Sequence, residues 1–280
     1  MVDFELLVAG HCVQLERFVR RGGAWSEIEF PSTVGVVRHP GAGVMLFDTG
    51  YAPRFHAATA RMPYRLYARL LPVTCSTKDT ARAQLGSLGI GAEEVGLIVL
   101  SHLHADHVAG LRDFPQARVA LGERALPADW RIRSPWVNAR HGFVPSLLPD
   151  DVASRLVPLG GYLVATTGLG GRLRNGHDVF GDGSAFVLPL PGHVDGHLGM
   201  WLPELGPDGV FLVGDACWSE LAFTNGELPH PLILRGMEDR AGYLAVIEEL
   251  SRLHRERPDL LIVPAHCSAS IQRARGVLGG

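Results

Sequence analysis

The segment SHLHADH at positions 101–107 holds four side chains that can bind a metal ion, namely His102, His104, Asp106 and His107. Histidine nitrogen and carboxylate oxygen are ligands that zinc prefers. Alternate residues of an extended chain point to the same side, so His102 and His104 can converge on one ion. The chain must then turn, which sends Asp106 and His107 in another direction. One short segment can therefore serve two adjacent ions.

Three further segments offer ligands, each directly after an apolar run: His193 in LPGHVDGH, Asp215 in LVGDAC and His266 in VPAHC. Ligands at strand ends are what a metal site on a rigid sheet requires. Two ions about 3.5–4 Å apart lower the pKa of water to about 7, which makes hydroxide available near neutral pH. Hydrolysis is the reaction that this arrangement predicts.

Buried strands must position these side chains, and short apolar runs of four to eight residues predict them. The runs are 4–10, 33–39, 43–50, 96–102, 117–123, 184–190, 197–203, 209–215 and 259–266. An apolar stripe predicts a helix from Met237 to Arg257 that Pro258 stops, and Asp79 to Leu88 and Pro53 to Leu71 are weaker helix candidates. The mixture predicts one layered α/β domain over 1–280, with a possible cap or insertion around 127–150.

Composition excludes several classes of protein. The 280 residues carry a net charge of −3 with dispersed Lys and Arg, which argues against a nucleic-acid partner. No uncharged apolar run approaches the ~18 residues that span a bilayer, so we expect no membrane partner. The four cysteines lack a CxxC pair and are read as reduced thiols, with Cys267 a buried structural thiol. Without a basic N-terminal region we expect a cytoplasmic protein, and a homodimer is the common outcome.

HLHADH, PGHVDGH, GDA and PAH, in this order, resemble the motifs of the metallo-β-lactamase-fold hydrolase superfamily. The resemblance implies a four-layer αββα sandwich with two divalent metal ions, zinc before manganese or iron. It implies that the ions are held by seven residues. These are His102, His104 and His193 on the first ion, Asp106, His107 and His266 on the second, and Asp215 on both. It also implies that Asp48, in LFDTG, braces the metal loop.

Within the superfamily, the bridging Asp215 argues against true β-lactamases, and AGHCVQLERF, DTG and PGHVDGH most resemble the N-acyl homoserine lactone lactonases. That branch implies an ester-type carbonyl attacked by hydroxide, with Asp106 in proton transfer and a small substrate that can carry an acyl chain. The branch usually has a tyrosine where this chain has Trp218, and an indole is not a phenolic acid. Acyl thioester hydrolysis, of the glyoxalase II type, stays open, as do a small-molecule phosphodiesterase and a non-catalytic metal- or ligand-binding module.

Several residues are candidates for the surroundings of the metals. We expect His197 to brace a loop or to contact substrate rather than to bind metal, and Trp218 to line the pocket. The segment 221–234 forms either an apolar wall near the metals or a plain surface loop. For an acyl chain, the residues from Tyr64 to Leu71 and around Trp136 are further candidates.

Overall fold

Two β-sheets form the framework of the chain in a computed structural model that describes residues 2–159 and 163–278. The first sheet has seven strands in the order β4-β1-β2-β3-β5-β6-β7, and the second has six in the order β13-β12-β11-β10-β9-β8. The strands are β1 Asp3–Leu15, β2 Glu27–His39, β3 Gly43–Phe47, β4 Val73–Thr74, β5 Val95–Val99, β6 Arg118–Leu121, β7 Leu156–Pro158, β8 Leu163–Thr166, β9 Asn175–Asp178, β10 Phe186–Pro189, β11 Leu198–Leu202, β12 Val210–Gly214 and β13 Leu261–Pro264.

Helices pack on the outer faces of the two sheets and along their edges. They are α1 Glu16–Val19, α2 Arg54–Ala58, α3 Tyr64–Leu70, α4 Ala81–Ser87, α5 Ala105–Val108, α6 Pro135–Arg140, α7 Val152–Arg155, α8 Leu221–Thr224, α9 Pro231–Leu234, α10 Arg240–Glu256 and α11 Ser268–Leu278. Among the described residues, no helix combines the length and the apolar composition that crossing a membrane requires.

Alternating side chains divide the core into three apolar layers. On β3, Leu46 packs outward beneath the helices of the first sheet, whereas Met45 and Phe47 face the second sheet. On β12, Leu212 faces the first sheet and Phe211 packs outward against the layer that includes α10. Because strand side chains alternate between faces, each buried strand contributes to two layers. The result is the expected αββα sandwich in a single domain.

The sequence-predicted helices differ from the structure where local chain chemistry intervenes. The candidate from Pro53 to Leu71 is two helices, α2 and α3, with Pro63 immediately before the second. A proline cannot donate the hydrogen bond that a continuous helix needs there. Helix α10 begins later than predicted, because the Asp239 carboxylate accepts from the Gly242 amide and caps the helix.

The carboxyl ends of several strands meet at one edge of the sandwich. Strands β3 and β5 are parallel neighbours in the first sheet, and β12 and β13 are parallel neighbours in the second. Strand β10 runs in the same direction as β12, because each is antiparallel to β11. Loops that follow parallel strands lie at the same edge of their sheet. This edge therefore gathers the loops that carry the histidines and aspartates singled out above.

Candidate metal centre

A first group of four side chains converges at this edge: His102 and His104 after β5, His193 after β10, and Asp215 after β12. One ligand atom from each lies within 4.8 Å of the others. His193 Nε2 is 3.1 Å from His104 Nδ1 and 3.3 Å from Asp215 Oδ2. His104 adopts an extended conformation immediately before α5, so it stays on the side of His102.

A second group consists of Asp106, His107 and His266, whose ligand atoms also lie within 4.8 Å of one another. The Asp106 Oδ2 atom is 3.4 Å from His107 Nε2 and 3.3 Å from His266 Nε2. Asp106 and His107 lie on the short helix α5, where the chain turns away from the direction of His102 and His104. His266 follows β13. The turn therefore separates the ligands of one motif into two groups.

Asp215 lies between the two groups and presents a different oxygen to each. Its Oδ1 atom is 3.4 Å from His107 Nε2 and 2.9 Å from His266 Nε2. Its Oδ2 atom is 3.3 Å from His193 Nε2 and 4.0 Å from His102 Nε2. A carboxylate in this position can bind one cation through each oxygen.

Hydrogen bonds on the side of each histidine ring that points away from the centre fix which ring nitrogen faces the centre. His107 Nδ1 donates to Asp48 Oδ2 over 2.7 Å, and His266 Nδ1 donates to the Pro31 carbonyl over 2.6 Å. A neutral ring that donates from Nδ1 keeps an unprotonated Nε2. Asp48 also accepts from the amide and the hydroxyl of Ser101 over 2.7 Å each. The Nε2 atoms of both histidines thus face the two aspartates, and in the neutral ring each would offer its lone pair to a cation.

Within the described part of the chain, several buried acceptor atoms of this centre lack a hydrogen-bond donor, which is what a cation site requires. His102 Nε2, His107 Nε2 and Asp215 Oδ1 are buried and have no hydrogen-bond partner among the described residues. A buried polar atom left unpaired costs about 1–3 kcal/mol, and more when it is charged. Divalent cations bound by nitrogen and oxygen would satisfy these atoms. The two groups together suggest a dinuclear divalent metal site.

The pKa shifts of the histidines differ between the two groups. Burial holds the pKa of His102 and His193 well below the usual value, which keeps both rings in the neutral form that binds metal. Burial also opposes the charged form of His107, but Asp106 and Asp48 outweigh it and raise its pKa. In return, despite burial, His107 and His266 lower the pKa of Asp106 to about 2. The carboxylates are ionised and demand positive charge, which a divalent cation supplies.

His197 and Trp218 both contact Asp215. His197 Nε2 accepts from the Asp215 amide over 3.0 Å, and its Nδ1 donates to the Leu190 carbonyl over 3.1 Å. His197 thereby joins the loop after β10 to the loop after β12. The indole N–H of Trp218 donates to Asp215 Oδ2 over 3.0 Å. The structure therefore places the indole N–H on the shared carboxylate.

A cavity of about 310 Å³ opens onto both groups. His104, Asp106, His193, Asp215 and His266 line its floor. Residues from several distant segments form its walls, and these include Cys12, Phe30, Tyr51, Tyr67, Leu71, Ala139, Arg140, Trp218, Leu232, Ile233 and Met237. A largely apolar cavity with convergent polar groups at one end is typical of a small-molecule site.

Some of the residues that line the cavity were among the candidates predicted from the sequence, and others were not. Tyr67 and Leu71 line the cavity, whereas Trp136 is 60% exposed and does not. In the segment 221–234, Leu232 and Ile233 line the cavity, but Phe223 packs in the outer core layer.

The missed residues come from distant parts of the sequence. His141 Nδ1 pairs with Glu238 Oε1 over 3.0 Å at the cavity, and Phe30 stacks on His266 with ring centroids 4.0 Å apart. Cys12 on β1 also reaches the cavity. No short motif signals these residues, because only the folded chain brings them to the metal ligands.

Sequence comparisons agree with this geometry. The family model of the metallo-beta-lactamase superfamily matches residues 28–266. A "probable metallo-hydrolase" of Mycobacterium tuberculosis is 30% identical over 250 residues, which cover 83% of this chain and 74% of that protein. The N-acyl homoserine lactonase AiiB of Agrobacterium fabrum is 25% identical over 192 residues, which cover 69% of this chain and 65% of that protein.

Solved structures share the fold at lower identity. An N-acyl homoserine lactone hydrolase with the product N-hexanoyl-L-homoserine at its catalytic metal centre superposes with a TM-score of 0.70. It is 17% identical, and the match covers 98% of this chain and 96% of that one. A B. thuringiensis AiiA variant with N-decanoyl-L-homoserine at its active site gives a TM-score of 0.69, 17% identity and the same coverage.

The matched family model spans every one of the two groups' ligands, from His102 to His266, and most of the chain. The chain therefore belongs to the metallo-beta-lactamase superfamily, as a metal-dependent hydrolase.

Proposed function

We propose that this hydrolase opens the ester bond of a lactone, of the N-acyl homoserine lactone type, at a dinuclear zinc centre. His102, His104 and His193 would hold one ion, Asp106, His107 and His266 the other, and Asp215 both. The observation that carries the proposal is the position of Asp215, whose two oxygens face different groups of ligands. The apolar walls of the cavity and the lactonases among the relatives support an acyl lactone as substrate.

When bound, the two ions supply Lewis acidity that lowers the pKa of water to about 7 and polarises a carbonyl oxygen. Residues of the chain would bind the substrate and transfer the proton. The cavity holds the substrate with its carbonyl carbon beside the ligand groups and its acyl chain along the apolar walls. The Asp106 carboxylate lines the floor of the cavity and accepts the proton released when water adds to the carbonyl. It then passes this proton to the departing ring oxygen, which leaves as an alcohol.

Asp48, His197 and Trp218 act through the ligands rather than on the substrate. Asp48 holds the His107 ring, and His197 holds the backbone of Asp215. Trp218 holds the Asp215 side chain through its indole N–H. Residues 127–150 form a cap over one side of the cavity in this proposal, supported by Ala139 and Arg140 in the cavity wall.

A second candidate reaction, hydrolysis of an acyl thioester, follows from Trp218. With its only donor on Asp215, the indole offers no acidic proton to a leaving alkoxide. A thiolate is a better leaving group than an alkoxide because its conjugate acid has a pKa near 8.5. A thioester would therefore depend less on a phenolic acid at this position.

The test combines metal analysis with a substrate panel of a long-chain acyl homoserine lactone, an acyl thioester and a phosphodiester. We expect about two zinc ions per chain and turnover of the lactone. Asp106→Asn should lose most of kcat, while Asp259→Asn, at an exposed turn away from the centre, should match the wild type. Faster turnover of the thioester would replace the lactonase proposal. Near-wild-type kcat of Asp106→Asn with full metal content would exclude Asp106 from proton transfer.

A further inference from the structure

Exposed apolar side chains cluster around the cavity that holds the metal ligands. Of the eleven large hydrophobic residues that are exposed in the described part of the chain, seven lie on or beside α3, α6 and α9. They are Met62, Leu66, Leu70, Ile132, Trp136, Val137 and Leu232, which we call the rim residues. The helices α3, α6 and α9 also line the cavity, through Tyr67, Ala139 and Leu232 respectively. The rim residues therefore border the cavity instead of being scattered over the surface.

The solvent face of α3 repeats a pair made of an arginine and an apolar residue. Arg65 and Leu66 form one pair, and Arg69 and Leu70 form the next, four residues later. Residues four apart lie on the same face of a helix. All four are exposed, with Leu70 at 69%, while Tyr67 on the opposite side packs on the core. This face is amphipathic in the sense that cations and apolar groups are interleaved on it.

The part of this surface that α3 contributes carries charge of one sign. No acidic residue occurs between Asp48 and Asp79, a stretch that contains Arg54, Arg61, Arg65 and Arg69. Arg54 pairs with Asp113, whereas Arg61, Arg65 and Arg69 are exposed and take part in no salt bridge among the described residues. The chain as a whole has a net charge of −3, so the net charge does not reveal the local excess of positive charge on α3. The complementary partner is an anionic surface.

A second copy of the chain fits this surface poorly. In a two-fold dimer the same patch meets itself, so residues of α3 would face residues from the same patch. The exposed arginines of one copy would then meet the same positively charged patch of the other in a partly desolvated interface, which is unfavourable. A lipid bilayer with anionic headgroups offers negative charge to the arginines and an acyl boundary to the apolar side chains. Tryptophan is enriched at that depth, and Trp136 is 60% exposed here.

We propose that the rim residues, with Arg61, Arg65 and Arg69, form a surface that docks on anionic lipid bilayers. The chain would lie on the bilayer without crossing it, which replaces the expectation of no membrane partner. Apolar side chains enter the acyl boundary while arginines contact the headgroups. Docking in this orientation places the cavity opening beside the bilayer. The surface is independent of the reaction, so it can be tested on the whole metal-loaded protein without any substrate.

The experiment is co-sedimentation with vesicles of phosphatidylglycerol and phosphatidylcholine, compared with vesicles of phosphatidylcholine alone. We expect binding that rises with the anionic fraction and weakens when NaCl increases from 0.1 to 1 M, because salt screens the arginines. The variant Arg65→Gln/Arg69→Gln should lose about fivefold in partition coefficient for each arginine removed. The variant Leu66→Ser/Leu70→Ser/Trp136→Ser should lose at least tenfold on the same vesicles.

Matched controls change the same residue types elsewhere. Leu88→Ser/Val277→Ser removes exposed apolar side chains at the end of α4 and on α11, and Arg172→Gln/Arg174→Gln removes two exposed charges near β9. Both should bind vesicles as the wild type does, and all variants should keep the circular dichroism spectrum of the wild type. Absence of binding to anionic vesicles would overturn the proposal. So would a dimer in light scattering that the Leu66→Ser/Leu70→Ser/Trp136→Ser variant abolishes, since a second copy would then cover the surface.

Discussion

At the scale of single residues, hydrogen bonds on the outer side of the histidine rings orient the candidate metal ligands. Asp48 holds His107, the Pro31 carbonyl holds His266 and Ser101 Oγ lies 3.0 Å from His102 Nδ1. Each contact restrains one ring nitrogen and leaves the other facing the centre. Such partners raise ligand basicity and fix ring orientation. Asp48 does so from a backbone φ of 65°, an uncommon conformation for a residue other than glycine.

Asp48→Asn should weaken metal binding without unfolding the chain. The amide has a single acceptor oxygen and no charge, so it cannot serve both Ser101 and His107 as the carboxylate does. We expect metal affinity to fall about 10–100-fold, measured by competition with a chromogenic chelator. Asp178→Asn is the matched control, because Asp178 is also buried and accepts two amide hydrogen bonds, from Gly181 and Gly183, away from the centre. Equal affinities in the two variants would contradict a role for Asp48 in holding His107.

At the scale of elements, much of the architecture could be predicted from the sequence. Short apolar runs predicted the strands that carry the site, because buried strands need apolar side chains on both faces. The fold class and the family were confirmed by the sandwich and the family match. The walls of the cavity were predicted only in part, because Leu71 and Leu232 lie in candidate segments whereas Cys12 and Phe30 do not. Leu71, Ala139 and Leu232 meet only through the packing of α3, α6 and α9 over the strand ends, which no local pattern encodes.

Gly192→Ala should displace the loop that carries His193. Gly192 has φ of 135°, and an added Cβ would lie 2.2 Å from the backbone nitrogen of Tyr243 in α10. Either the helix or the loop must move, so we expect a lower melting temperature and loss of about one metal ion per chain. Gly181→Ala is the control, because Gly181 also has a positive φ, of 79°, but no atom lies within 4 Å of its added Cβ.

The comparison of the two glycine variants separates backbone strain from collision. Strain at a positive φ costs about 1–3 kcal/mol, and it is larger at the φ of 135° of Gly192 than at the 79° of Gly181, so stability alone does not isolate the collision. Metal content, determined by elemental analysis of the folded proteins, should fall only in Gly192→Ala. A full complement of metal in that variant would mean that the loop can bear the side chain without moving His193.

At the scale of the whole molecule, the two groups of candidate ligands draw their residues from both sheets. His102, His104, Asp106 and His107 follow β5 of the first sheet, while His193, Asp215 and His266 follow strands of the second. Each group draws ligands from both sides of the sandwich. Ions bound there would act as cross-links between sheets that otherwise meet through the central apolar layer.

Removing the metal should therefore destabilise the fold as a whole. A ligand that binds only the folded state adds about 2.7 kcal/mol at a free concentration 100 times its dissociation constant. We expect a chelator to lower the urea midpoint, and added zinc to restore it. The variant His102→Gln/His266→Gln removes one ligand from each group, so chelator should barely change its midpoint. If stripping both ions from the wild type left its midpoint unchanged, the ions would not be linked to folding, and the apolar layers alone would hold the two sheets together.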